Sequence, residues 1–120
     1  MLVNTLPLTP ATQGILCRKT FEQLLPDACI INVARGEHLV EKDLLSMLDS
    51  GRLRGATLDV FAQEPLPSSH PFWDHPAITI TPHVAAASLR GATIKQVAAK
   101  IQSLLNGVVP TGAVNRELGY

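Results

Sequence analysis

The sequence predicts an α/β chain in which a small parallel sheet lies under helical cover. Three observations lead to that class. Apolar runs of strand length recur, and three of them stop at chemically capable residues: Arg35 in N-V-A-R-G, Glu64 in L-D-V-F-A-Q-E-P and His83 in I-T-I-T-P-H-V-A-A. Segments with helical spacing separate the runs. The joins are short and marked by Gly or Pro, so strand, helix and strand follow one another as in the βαβ unit of a parallel sheet. In such sheets ligands collect beyond the carboxyl ends of the strands, which is where these three residues fall.

Taken in order, Met1 to Thr5 is a short apolar run cut off by Pro7 and Pro10, and it reads as the last residues of a strand followed by a loop. Lys19 to Leu25 has a helical pattern, with Phe21, Leu24 and Leu25 on one side and Pro26 as its stop. Cys29 to Val33 is continuously apolar, the pattern of a strand buried on both faces, and Gly36 is placed to turn the backbone sharply beside Arg35. Glu41 to Ser50 groups Leu44, Leu45 and Leu48, with acidic residues in the first turn and Gly51 past the end, as a helix requires. Arg54 to Phe61 returns to strand. Pro65 to Pro76 holds four of the nine prolines together with Phe72 and Trp73; it predicts a stiffened surface segment anchored by its aromatics. Ala77 to Thr81 is a further strand stopped by Pro82. Ser88 to Leu105 is the longest helix, with Ile94, Val97, Ala98, Ile101 and Leu105 as its apolar stripe and Asn106-Gly107 as its end.

A chain of 120 residues suffices for one hydrophobic core. Ten basic and ten acidic residues balance to a formal net charge of zero, and no stretch concentrates Lys and Arg or interleaves them with aromatics. Nucleic acid and membrane are therefore not expected partners. Cys17 and Cys29 form neither a close pair nor a ligand array with the four histidines. They read as free thiols of a reducing compartment, and a cytoplasmic protein is the expectation. No H-E-x-x-H spacing is present, so no metal site is expected.

Each candidate residue admits two readings. Arg35 can hold a planar carboxylate through two parallel hydrogen bonds, or be a surface arginine in a turn. His83, followed by small residues that permit close approach of a ring, can move a proton near neutral pH, or be a loop or capping histidine. Glu64 can accept the other ring N–H of His83 and favour its protonated form, or be a loop carboxylate before a proline. Asp59 can receive a ligand amide or form a turn. His38, His70 and His75 read as solvent or loop histidines.

Four blocks of text, L-P-L-T-P-A-T-Q-G-I, I-N-V-A-R-G-E-H-L-V-E-K-D-L-L, G-R-L-R-G-A-T-L-D-V-F-A-Q-E-P-L-P and H-P-A-I-T-I-T-P-H-V-A-A, occur in that order. Together they resemble the NAD(P)-dependent D-isomer-specific 2-hydroxyacid dehydrogenases, most closely the glyoxylate and hydroxypyruvate reductases. The tail T-G-A-V-N-R-E-L-G-Y is similar to that family's carboxyl terminus. The resemblance implies a partial Rossmann-like sheet, the second half of a nucleotide-binding domain. Residues 1–106 would form that part with its return helix, and residues 107–120 would be the tail of the substrate domain. It implies that Arg35 binds the carboxylate and carbonyl of a small 2-oxo acid, that His83 donates the proton to the ketone oxygen, and that Glu64 keeps His83 protonated. For the cofactor, NADP or NAD, it implies Leu6, Pro7 and Thr12 beside ribose and phosphates, Asp59 on the nicotinamide amide, and Ala34, Ala85 and Ala86 beside the ring, with Arg35 and His83 also within reach.

The glycine-rich G-x-G-x-x-G loop that cradles the pyrophosphate in such folds does not occur in the sequence. The expectation is accordingly a carboxyl-terminal fragment whose parent is a homodimeric reductase, and which is itself inactive and prone to self-association. A non-catalytic binding or corepressor module on the same fold would have no need for Arg35, Glu64 and His83 together.

Overall fold

The computed structural model describes residues 1–117. Its sheet has four strands in the order β1-β2-β3-β4, every neighbouring pair parallel: β1 is Leu2–Asn4, β2 Ala28–Asn32, β3 Leu53–Leu58 and β4 Ile78–Ile80. Three helices accompany them, α1 (Arg18–Glu22), α2 (Glu41–Asp49) and α3 (Arg90–Leu105), with 3-10 turns at Gly36–His38 and Pro71–Trp73. The α/β class, the parallel sheet and the flanking helices are as the sequence predicts.

Register sets the functional edge. Asn4 pairs with Asn32, Asn32 with Leu58, and Leu58 with Ile80, so all four strands finish level with one another. Leu6 and Pro7, Arg35, Asp59, and then Thr81 to His83 therefore leave the sheet in that order across one edge.

The core lies between the sheet, α1, α2 and the proline-rich segment. β2 alternates buried and half-buried positions, with Ile30 fully enclosed in one hydrophobic cluster with Phe21, Leu44, Leu48, Leu53, Leu58 and Phe72. From α2 the inward residues are Leu44, Met47 and Leu48; the spacing of leucines alone would have favoured Leu45, which is only half-buried. The proline-rich segment is clasped to α2 at both ends. His70 Nε2 lies 3.2 Å from Glu41 Oε2 and His75 Nε2 lies 3.3 Å from Asp49 Oδ1, while each Nδ1 accepts a backbone N–H two residues ahead, from Phe72 and Ala77.

Several local expectations change. α1 is shorter than Lys19 to Leu25, and only Phe21 is buried in it; Leu25 is 82% exposed. Of the two aromatics in the proline-rich segment only Phe72 is buried, and Leu66 packs partly against the same core. Trp73 is half-exposed and its Nε1 donates to the Pro67 carbonyl at 2.8 Å. Gly36 does not have a positive φ; a Cβ there would collide with the Phe61 and Ala62 backbone. The need for glycine comes from close approach of two chain segments instead of from turn geometry. Gly51, past α2, does have a φ of +70° and closes the helix as expected.

The chain divides into two compact units, Met1–Ala85 and Ala86–Tyr120. The first carries the sheet and its cover. The second opens ahead of α3, and that helix has no buried residue. It ends at Asn106 and Gly107, with Val108 N–H returning to the Ser103 carbonyl at 2.9 Å. The tail expected from residue 107 onward reaches residues 118–120, which lie outside the described residues. Among the described residues no helix is long and apolar enough to cross a membrane, and no group of three or more His, Cys, Asp and Glu gathers as a metal site would.

Candidate active site

Asp59 stands one residue past β3 and is 2% exposed. Its carboxylate accepts three hydrogen bonds. Oδ1 accepts from the Thr81 hydroxyl and from Val84 N–H at 3.0 Å, and Oδ2 accepts from Ala85 N–H at 2.9 Å. Burial on its own would raise its pKa. The Thr81 hydroxyl, the amides of Ala85 and Val84 and the charge of His83 outweigh that and hold it below the usual carboxylate range.

These bonds fix the loop that presents His83. This residue has a φ of +54°, in the left-handed region that costs a non-glycine residue about 1–3 kcal/mol. Asp59 grips the two amides directly after it, and His83 N–H itself donates to the Thr81 carbonyl at 3.1 Å. The unusual backbone is thus held from both sides.

Glu64 completes a dyad. Its Oε1 accepts Phe61 N–H at 2.9 Å, and its Oε2 lies 2.9 Å from His83 Nδ1. The His83 hydrogen bond first, then the Phe61 amide, hold the Glu64 carboxyl below its usual range against the opposing effect of burial. An ionised carboxylate can only accept, so Nδ1 carries a hydrogen and Nε2 is the ring atom left for chemistry. The dyad is half-exposed and borders a cleft of about 470 Å³, lined also by Asp59, Phe61, Leu66 and Trp73.

Arg35 emerges at the end of β2, two strands from His83, a lateral separation of about 10 Å at ordinary strand spacing. One guanidinium nitrogen donates to the Ala34 carbonyl at 2.6 Å, and the side chain is exposed. Its backbone is held by Asn32, whose Nδ2 donates to the Arg35 carbonyl at 3.0 Å and whose Oδ1 accepts Ala34 N–H at 3.3 Å. The close approach of Gly36 to the Phe61–Ala62 backbone seats this segment against the one that carries Glu64.

At the other end of the edge, Leu6 and Pro7 are exposed, and the Thr12 hydroxyl donates to the Pro7 carbonyl at 2.8 Å. Ala34 is buried, Ala85 is exposed with its amide on Asp59, and Ala86 is exposed in the second unit. Sequence reasoning missed Thr81, Asn4 and Asn32, although both asparagines end apolar runs just as Asp59 does. His38 is a correction. It is fully buried and hydrogen-bonded, because its 3-10 turn packs it behind the end of β1 where Asn4 and Pro7 supply partners.

A family model for the D-isomer specific 2-hydroxyacid dehydrogenase, NAD binding domain, matches residues 1–85. The chain belongs to the D-isomer specific 2-hydroxyacid dehydrogenase family. It is 55% identical to glyoxylate/hydroxypyruvate reductase A of Serratia proteamaculans and 53% identical to that of Yersinia enterocolitica, each over all 120 residues. It spans 38% of the length of each of these curated relatives. Among solved structures of the family, it superposes with a TM-score of 0.92 and 42% identity on an NADPH-dependent glyoxylate/hydroxypyruvate reductase from Sinorhizobium meliloti in complex with NADP and sulfate. That match covers 98% of this chain and 39% of the other. A family enzyme from Xanthobacter autotrophicus in complex with NADPH and MES gives a TM-score of 0.94 at 36% identity, covering 99% of this chain and 50% of the other.

Proposed function

We propose that this chain supplies the proton donor and the carboxylate anchor with which a reductase converts a small 2-oxo acid, glyoxylate or hydroxypyruvate, to the 2-hydroxy acid at the expense of NADPH or NADH. The observation that carries this reading is the His83–Glu64 dyad standing on the same sheet edge as Arg35. The names of the Serratia and Yersinia relatives support the substrate class, and NADP in the Sinorhizobium structure supports the cofactor.

The residues present fit the nicotinamide end of a dinucleotide. Ala34 and Ala85, at the ends of β2 and of the segment after β4, would border the ring. The Asp59 carboxylate has about four acceptor positions and uses three, which leaves one for a carboxamide N–H. Leu6, Pro7 and Thr12 would face ribose and phosphate. When bound, the nicotinamide supplies the hydride. Arg35 forks onto the substrate carboxylate and reaches its carbonyl oxygen. His83 points Nε2–H at the same oxygen, stabilises the negative charge that grows there and then releases its proton to it, while Glu64 keeps Nδ1–H in place. The relatives are more than twice as long and the pyrophosphate loop is not among these residues, so turnover is proposed for the assembled reductase and the chain alone is expected to bind the dinucleotide weakly.

The test begins with the chain titrated with NADPH and NADH by nicotinamide fluorescence. It continues in a chimaera in which these residues replace the matching segment of the Sinorhizobium reductase. In the chimaera, His83→Ala should lower kcat for glyoxylate reduction by about 10²–10⁴-fold, and Arg35→Ala should act mainly on KM for glyoxylate. A chimaera that binds NADPH and keeps its turnover after His83→Ala would sink the assignment.

A further inference from the structure

Behind Arg35 lies a buried polar cluster that the proton-donor site does not use. Asn4 and Asn32 end adjacent strands in register, and His38 closes the cluster from its 3-10 turn. Their exposures are 4%, 0% and 0%. Polar groups removed from water to that extent must find partners, and here the partners dictate every assignment.

Asn4 Nδ2 can only donate. It lies 2.9 Å from Asn32 Oδ1 and 2.8 Å from His38 Nδ1, so both of its hydrogens are committed and Nδ1 is the unprotonated ring nitrogen. Nε2 then carries the ring hydrogen and donates to the Pro7 carbonyl at 3.3 Å. Asn4 Oδ1 accepts Leu6 N–H at 3.2 Å. On the other side Asn32 holds Ala34 N–H and the Arg35 carbonyl. Turning any one amide over sets acceptor against acceptor or donor against donor, so the three side chains change together or not at all.

We propose that Asn4, Asn32 and His38 are positioning residues that couple the Leu6–Pro7 backbone, on the nucleotide side of the edge, to the Ala34–Arg35 backbone, on the oxo-acid side. This rests on the reading of Arg35 and Leu6–Pro7 given above. A ligand drawn onto Arg35 orders one end of the chain of bonds, and the other end meets a nucleotide already in place. By linkage the effect is reciprocal, and a coupling of this kind ordinarily changes affinity by about fivefold or more.

The experiment uses the full chain, labelled with ¹⁵N, with oxamate as the probe for Arg35 and NADPH for the nucleotide side. Without ligand, the His38 ring should report Nδ1 unprotonated and Nε2 protonated at neutral pH. Asn32→Asp keeps the shape and the acceptor for Ala34 but removes the donors to Arg35. It should shift both the His38 ring nitrogens and the Leu6 amide, the latter lying beyond Asn4. Saturating oxamate should tighten NADPH about fivefold in the wild-type chain and leave it unchanged in Asn32→Asp and in His38→Phe. A ring protonated on Nδ1, or a Leu6 amide indifferent to Asn32→Asp, overturns the relay whatever the ligands do. Oxamate that moves no resonance near Arg35 overturns the substrate reading instead, and the ligand-free spectra still decide the relay.

Discussion

A buried carboxylate held by three hydrogen-bond donors ties a protein's stability to pH. Asp59 and Glu64 both have folded-state pKa values below their ordinary ones. Where folding depresses a carboxylate's pKa, the unfolded chain binds more protons between the two values, so stability rises with pH through that window. The contribution is fully present above the ordinary value of about 4 and disappears as pH falls through the lowered folded values. Asp59, being buried, should dominate; Glu64 is partly exposed and more strongly screened. Urea unfolding followed from pH 7 downward should therefore show stability falling below about pH 4, with a shallower fall in Asp59→Asn. An equal slope in the variant would mean that Asp59 is not the group being titrated. The same substitution leaves one oxygen to serve the Thr81 hydroxyl and two amides, so the left-handed backbone at His83 loses part of its support.

At the scale of elements, the site depends on how two loops pack. The turn after β2 carries Arg35, and the segment after β3 carries Glu64; Gly36 is where they touch. Gly36→Ala has no conformational penalty from φ, but its Cβ has nowhere to go except into the Phe61–Ala62 backbone. The expected cost is about 1–3 kcal/mol, the range for overpacked interiors, measurable as a lower urea midpoint. The displacement should also lengthen the Glu64 to Phe61 N–H bond and loosen the His83 dyad. A midpoint unchanged by Gly36→Ala would show that the two segments can separate freely. The clasps of His70 to Glu41 and His75 to Asp49 work differently, since they tie a proline-stiffened segment to both ends of one helix and thereby bury Phe72.

For the molecule as a whole, the informative feature is apolar surface without charge to protect it. Ile94, Val97, Ile101 and Leu104 or Leu105 recur at helical spacing along α3 and every one is at least half exposed. With a net charge of zero, long-range repulsion between copies is weak. Sedimentation velocity should show concentration-dependent self-association of the chain, reduced when Ile94 and Ile101 are both replaced by Glu. A wild-type chain that stays monomeric up to high concentration would rule this out.

What could be read from residues alone follows periodicity and punctuation. The apolar runs marked four strands, the long and partly helical segments between them implied parallel pairing, and polar residues at the run ends marked the edge where Arg35, Asp59, Glu64 and His83 were expected. Those signals are local. Tertiary structure decided which polar residues meet: that Asp59 reaches forward to the amides after His83, that Gly36 is needed for contact with Phe61 and Ala62, and that His38 lies buried against Asn4 instead of in solvent. Each of these pairs is separated by more than twenty residues, and hydrogen bonds between such partners depend on strand register, which no single segment encodes. Helix extent was misjudged for the same reason. α1 ends at Glu22, and of the two leucines beyond it Leu24 packs against the core while Leu25 is exposed; packing, not propensity, determines where a short helix stops.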